Sequence, residues 1–454
     1  MAVLPFKPLV PSDRDEYLEM GMVDVLITKL SNIRQLKVRS ISTVRKYADL
    51  QEDPVAAGRE LQVEAVLDGS IQRVGDRVRV TVRLLNVQDG TSMWADKFDE
   101  PFTNIFALQD SISQRVAAAL PLNLSGEEKA RLSRHDTENT EAYQLYLKGR
   151  YFWNKQTEES FRKGIDYFNQ AIGDDPNYAL AYAGMSDCYA LLSDFGFVPP
   201  IEGFPKAKEA ATRALAIDEQ LAEAHTSLGH VKRDYDWDWP GAEQEFKRAI
   251  ELNPNYPSAR QWYAVYLSSL GRHQEATAEI KRALELDPLS LPVNSVTARV
   301  LYLARQYDQA IEQSHKTIEM DPTFASAYQN LGRSYEQKRM YAEAVATFQE
   351  LNKAVPGHGL AFLARADALA GRTDEAQKIL AQLKELSARR YVSPYQIAMI
   401  YAGLGDKEQA LAWLERAYQQ RVHNLVFLKV EPELDGLRSD PRFVDLMRRV
   451  GLGP

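Results

Sequence analysis

Pro254, Pro288, Pro322 and Pro356 stand 34 residues apart, and no other feature restricts the fold of this 454-residue chain so strongly. The first three follow Glu-Leu-Asn, Glu-Leu-Asp and Glu-Met-Asp, the ends of amphipathic helices that the pyrrolidine ring forbids to continue. Ala276, Ala310 and Ala344 recur at the same spacing. A small residue held in register with a helix breaker means one supersecondary unit copied head to tail.

Following the small residue outward gives Gly164, Ala207, Ala242, Ala276, Ala310, Ala344, Ala376 and Ala410. This spacing predicts an all-helical solenoid of about eight repeats over 141–420, followed by a capping segment over 421–454. The longest gap holds Asp194 to Pro205, rich in Pro and Gly, which reads as a loop carrying Phe195, Phe197 and Phe204. The units resemble tetratricopeptide repeats. The best copy has Tyr328, Leu331, Gly332, Tyr335, Ala344, Phe348 and Pro356, and departs from the pattern at Leu351. In the second repeat Tyr182, Met185, Tyr189, Ala207 and Ala214 fit, with Glu219 in place of the proline. The resemblance implies a right-handed superhelix with the first helix of each pair on its concave side.

Residues 1–124 have a different character, and the fold class expected there is α+β, a mixed sheet with an antiparallel meander. Ala2 to Phe6 reads as a strand, Asp15 to Ile33 as a helix, Leu36 to Ser40 as a second strand, and Pro54 to Leu61 as a helix capped by Asp53. From Val63 to Phe98 the period is two: Val78, Val80, Val82 and Leu84 point one way, Arg77, Arg79, Thr81 and Arg83 the other. Gly75-Asp76 suits a II′ hairpin turn and Asp89-Gly90 a I′ turn. Phe102 to Leu120 closes the unit as a helix, and 125–140 forms a linker. Val66-Leu67-Asp68-Gly69-Ser70, Gly75-Asp76-Arg77-Val78, Trp94-Ala95 and Ile105-Phe106-Ala107-Leu108-Gln109-Asp110 resemble the TolB-N-like (FlgO-like) domain. Leu428 to Phe443 looks like the ending of bacterial regulators in which that domain precedes tetratricopeptide repeats. The resemblance implies an effector upstream of Met1: a winged-helix DNA-binding domain first, a serine/threonine kinase or adenylate cyclase as the alternative. A stand-alone adaptor or assembly scaffold is the third reading. An upstream transmembrane helix, present in some relatives, would place this part outside the cytoplasm; without one the cytoplasm is the default.

The formal net charge is -8, with 15 Lys and Arg against 17 Asp and Glu up to Leu124 and 40 against 46 beyond it. Neither part is a basic module, so no direct nucleic-acid binding by this chain is expected. The single cysteine, Cys188, excludes an intramolecular disulfide and reads as buried packing. No His-Glu-x-x-His, Gly-x-Ser-x-Gly, P-loop or Gly-x-Gly-x-x-Gly is present, and no catalytic residue, cofactor or metal is expected. His225 and His230 lie about 140° apart around a helix, which reads as groove or surface packing. The Arg77, Arg79, Arg83 stripe reads as a solvated sheet face, and Asp234 to Trp239 as an interhelical loop whose tryptophans pack between repeats.

Repeat register supplies the candidate surface. Arg150, Arg299, Arg333 and Arg365 occupy equivalent positions facing the concave groove, joined by His230, Arg233 and Gln329. A row of guanidiniums at one phase clamps acidic side chains or a terminal carboxylate, unless each pairs with a neighbour such as Glu336. The expected partner is a protein or peptide bearing acidic or carboxylate groups, or a small ligand at the junction of the two domains; homo-oligomerisation stays open.

Overall fold

The computed structural model describes residues 1–8, 15–48, 53–132 and 136–453. Strands β3 (Ala65–Val74), β4 (Arg77–Asn86) and β5 (Ser92–Pro101) form an antiparallel meander. Val78, Val80, Val82 and Leu84 of β4 are buried, and Arg77, Arg79, Thr81 and Arg83 between them are exposed. The arginines pair across this wet face, Arg77 and Arg79 with Asp99 and Arg83 with Asp68. Gly75 has φ 63 and Asp76 does not follow it into the left-handed region, as a II′ turn requires. The second hairpin corrects the I′ expectation. Only Gly90 has positive φ, and a four-residue loop separates Asn86 from Thr91. Side chains favour this wider loop: Asn86 Oδ1 accepts from the Gln88 N–H at 2.8 Å, and Asp89 Oδ1 from the Thr91 N–H at 3.0 Å.

The first strand is split. β1 (Ala2–Val3) and β2 (Lys7–Pro8) each pair parallel with β3, making the sheet mixed. Leu36 to Ser40 forms no strand; its backbone touches the N terminus through two bonds, from Arg39 N–H to Met1 O and from the Met1 amino group to Lys37 O. Helix α1 (Glu16–Ser31) starts at Asp15, whose carboxylate accepts from the Leu18 N–H. A single turn, α2 (Ile41–Val44), precedes α3 (Pro54–Glu60), which begins as expected with Pro54 at its first position and Asp53 as cap. α4 (Ile105–Ala119) follows a 3-10 turn, and α5 (Gly126–Leu132) lies in the linker, of which 133–135 fall outside the described residues.

Eight helical hairpins follow. They are α6 (Thr140–Trp153) with α7 (Glu158–Asp174), α8 (Ala179–Asp194) with α9 (Pro200–Ile217), α10 (Ala222–Val231) with α11 (Trp239–Leu252), and α12 (Pro257–Ser269) with α13 (His273–Leu286). Then come α14 (Leu291–Leu303) with α15 (Tyr307–Met320), α16 (Ala325–Gln337) with α17 (Tyr341–Ala354), α18 (Leu360–Leu369) with α19 (Thr373–Leu386), and α20 (Pro394–Gly403) with α21 (Lys407–Gln419). The small residues are there because aromatic rings lie on them: a Cβ at Gly332 would stand 2.4 Å from the Phe348 ring, and one at Gly149 2.5 Å from Phe168. The loop expected from Asp194 to Pro205 is much shorter. α9 starts at Pro200, a favoured first position, and continues through Pro205 because Phe204 is fully buried against His230 and Tyr235.

The segment after α21 folds back across the superhelix through two 3-10 stretches (His423–Phe427, Pro432–Leu437) and α22 (Pro441–Arg449). Trp239 lies against the next hairpin, its ring 6.0 Å from that of Tyr266 in α12, and both tryptophans also reach the end of the chain. Trp237, in the left-handed conformation at φ 58, stacks on Tyr418 at 5.2 Å, and Trp239 Nε1 donates to Val450 O at 2.9 Å. The third repeat therefore grips the end of the chain.

The α/β unit is packed on the repeats at two places. One is the first hairpin, where Arg150 Nε meets Asp24 Oδ2 at 2.9 Å and Arg45 donates to Asn154 O. The other is the run of turns between the third and fifth hairpins: Asn255 Nδ2 donates to Ile33 O and Leu36 O, Arg39 to Leu286 O, and Thr43 to Asp287 Oδ1 at 2.7 Å. One apolar cluster runs from Met1 to Ala224 through both units. Among the described residues, no helix is long and apolar enough to cross a membrane.

Candidate functional site

A chamber of about 2480 Å³ lies between the α/β unit, the first helices of the hairpins and the folded-back segment. Its wall contains Asp24 and Thr43 from the α/β unit, Asn255, Trp262 and Arg333 from the repeats, and Phe427 from the C-terminal segment. All seven residues expected in the groove are on this wall. They divide into separate groups.

Arg299, Arg333 and Arg365, from α14, α16 and α18, come together as the register requires, and what they hold is the chain itself. Glu431, with no exposed surface, accepts from Arg299 Nη2 at 2.8 Å and from the Tyr302 hydroxyl at 2.9 Å, and lies 2.6 Å from Arg333 Nη2. Glu433 accepts from Arg333 Nε at 2.7 Å and is 3.6 Å from Arg365 Nη1. Arg365 is also paired with Glu336. Three guanidiniums thus face three carboxylates. Burial opposes the Glu431 charge, but Arg333 and Arg299 outweigh it and hold the carboxyl down to about 2.

Arg150 is not part of this row. It is tied to Asp24 and lies over Trp153, 4.6 Å from the ring. Beside it are two acids that the sequence reading passed over, Asp187 and Glu223. Burial raises both, Glu223 to about 7, while Asp187 accepts from the Ser227 hydroxyl at 2.5 Å. Gln329 lines the wall as well.

His230 and Arg233 form the third group. Arg233 holds Asp234 through two bonds of 2.6 Å. The His230 ring is stacked on Trp262 at 4.2 Å and met edge-on by Phe204. Its Nε2 lies 3.0 Å from Asp194 Oδ2 and 2.9 Å from Asp234 Oδ2. Burial disfavours the imidazolium, but Asp194 and Asp234 outweigh that and raise it to about 9. His225, by contrast, faces Glu245 at 2.5 Å and takes no part. The signal available in the sequence was His230 and Asp234 at i and i+4, placed where the helix loosens into a π turn over Lys232–Asp236. Cys188 is buried, and burial pushes its thiol up, away from the reactive thiolate.

The fold is that of a tetratricopeptide-repeat protein, and residues 245–278, 316–346 and 395–421 match models of that repeat. Residues 1–115 match the model described as HilA/YgeH-like transcriptional regulator, second domain, so a HilA-like regulator domain stands at the N terminus; the finer TolB-N-like resemblance stays an expectation. Among curated relatives, the putative adenylate cyclase 3 of Rhizobium meliloti (strain 1021) is 29% identical over 234 residues, 50% of this chain and 39% of the relative. The transcriptional regulator HilA of Salmonella typhimurium is 25% identical over 132 residues, 29% of this chain and 24% of the relative. The chain therefore spans well under half the length of either. In a solved structure, Pseudomonas aeruginosa PilF is 21% identical, with 45% of this chain and 92% of that one covered and a TM-score of 0.34.

Proposed function

We propose that this chain is the non-catalytic sensing and interaction part of a bacterial transcriptional regulator, and that its ligand, a peptide segment or a small molecule, enters the central chamber. The observation that carries this reading is that the chamber wall is shared by the α/β unit, the repeats and the C-terminal segment. An occupant touches all three, and it shifts the population toward whichever placement of the three it fits best, which is how binding here biases an attached effector. In this reading Arg299, Arg333 and Arg365 receive an external carboxylate only by displacing Glu431 and Glu433, so an acidic partner competes with the chain's own tail. The match of residues 1–115 to a regulator domain supports the transcriptional assignment.

The second reading is the regulatory part of an adenylate cyclase, favoured by the 234-residue similarity to a protein of that name. The reading frame upstream of Met1 separates the two: a winged-helix domain supports the first, a cyclase catalytic domain the second. The chamber itself is tested by hydrogen exchange on the natively purified protein, with and without the molecules that co-purify. Protection is expected at once around 39–47, 255–262 and 423–433; protection confined to the outer faces of the hairpins removes the chamber from the mechanism.

A further inference from the structure

We propose that Asp194, His230 and Asp234, with His423 behind Asp194, form a binding site for a divalent transition-metal ion of the zinc type on the chamber wall. The four residues come from three parts of the chain: Asp194 ends α8, His230 and Asp234 belong to the third hairpin, and His423 opens the C-terminal segment. One donor atom from each of the first three lies within 4.8 Å of the others. His423 Nδ1 is 3.9 Å from Asp194 Oδ1, and both atoms are buried without a hydrogen-bond partner among the described residues.

The spacing suits an ion. Imidazole and carboxylate ligands at about 2.0–2.2 Å from a tetrahedral centre stand roughly 3.3–3.5 Å from each other. The separations of 2.9 and 3.0 Å from His230 Nε2 to the two carboxylates need only a few tenths of an ångström of opening, while His423 Nδ1 faces the other oxygen of Asp194, Oδ1, and stands behind the ligand set. Nε2 is buried and lies between the two carboxylate oxygens, where an ion would meet all three donors. The surrounding groups do what outer-shell partners do at metal sites: Arg233 orients Asp234, and Trp262 and Phe204 fix the plane of the His230 ring. A mixed nitrogen and carboxylate set without sulfur favours Zn²⁺ among common ions and excludes a thiolate-type structural centre.

Tag-free, chelator-treated protein is titrated with ZnCl₂, and metal content is read after gel filtration. One zinc per chain is expected. His230→Gln and Asp194→Asn weaken binding by at least the ~10–100-fold that loss of an outer-shell partner causes. His225→Ala, outside the cluster, leaves it unchanged. Cobalt substitution of the wild type gives the ligand-field spectrum of a four-coordinate site, a water completing the three protein ligands. Wild-type protein that retains no zinc, or His230→Gln and Asp194→Asn proteins that retain as much as wild type, overturns the proposal. Should the buried variants fail the circular-dichroism check for folding, the wild-type titration decides alone: no zinc retained after gel filtration overturns the site.

Discussion

Glu431 is the most consequential single residue of the chamber, because two arginines and a tyrosine hydroxyl are satisfied by one carboxylate with no access to water. Glu431→Gln leaves Arg299 and Arg333 short of a counter-charge, and removing one partner of a buried pair costs about 3–5 kcal/mol. The expected result is faster hydrogen exchange over residues 425–437 at neutral pH, with the outer helices little changed. The pH dependence has a defined sign. The folded carboxyl sits near 2 and the unfolded one at 4.5, so the stabilisation is complete above 4.5 and fades as the pH falls toward 2. Wild-type tail release should follow that acid window, and the glutamine variant should lack it. The arginines were legible in the sequence because repeat register places them; their partners were not. Arg299 and Glu431 are 132 positions apart, Arg333 and Glu433 100, and they meet through the curvature of the superhelix, which a local period does not encode.

At the scale of single elements, the packing of one hairpin on itself depends on how closely its two helices approach. Gly332→Ala places a methyl group 2.4 Å from a fully buried phenyl ring, and such overpacking costs about 1–3 kcal/mol. A thermal melt of this variant should shift downward, and a second change, Phe348→Leu, should recover part of the loss by opening space for the methyl. Elements whose cause lies in a few adjacent residues were readable: the period-two strand β4, the Gly75-Asp76 turn, the Asp53 cap and the helix ends at each proline. Others answer to forces outside the segment. The loop at Asp89-Gly90 follows side-chain bonds to Asn86 and Asp89, α9 passes through Pro205 because Phe204 is anchored, and Leu36 to Ser40 is drawn off as a connector by contacts around Arg39 and Asp287.

For the whole molecule, the decisive contacts are those that join the end of the chain to its middle. Truncation after Arg421 removes the partners of Trp239 and of the arginine row together. The truncated protein should scatter with a larger radius of gyration and emit at longer tryptophan wavelength, while its helix content falls only by the part removed. Unchanged scattering would mean that the hairpins hold their curvature unaided. The seven groove residues were legible as one surface and turned out to be three stations on one wall, since only the closed superhelix decides which neighbours each meets. A stack of hairpins touching only their nearest neighbours behaves as a spring, lengthening by small rotations at each joint under tension. The bond from Trp239 to Val450, with the stacking of Trp237 on Tyr418, makes this one a clasped spring. Drawn apart from its ends, it bears load without extending until the clasp yields and then lengthens in one step, so its mechanical response has a threshold.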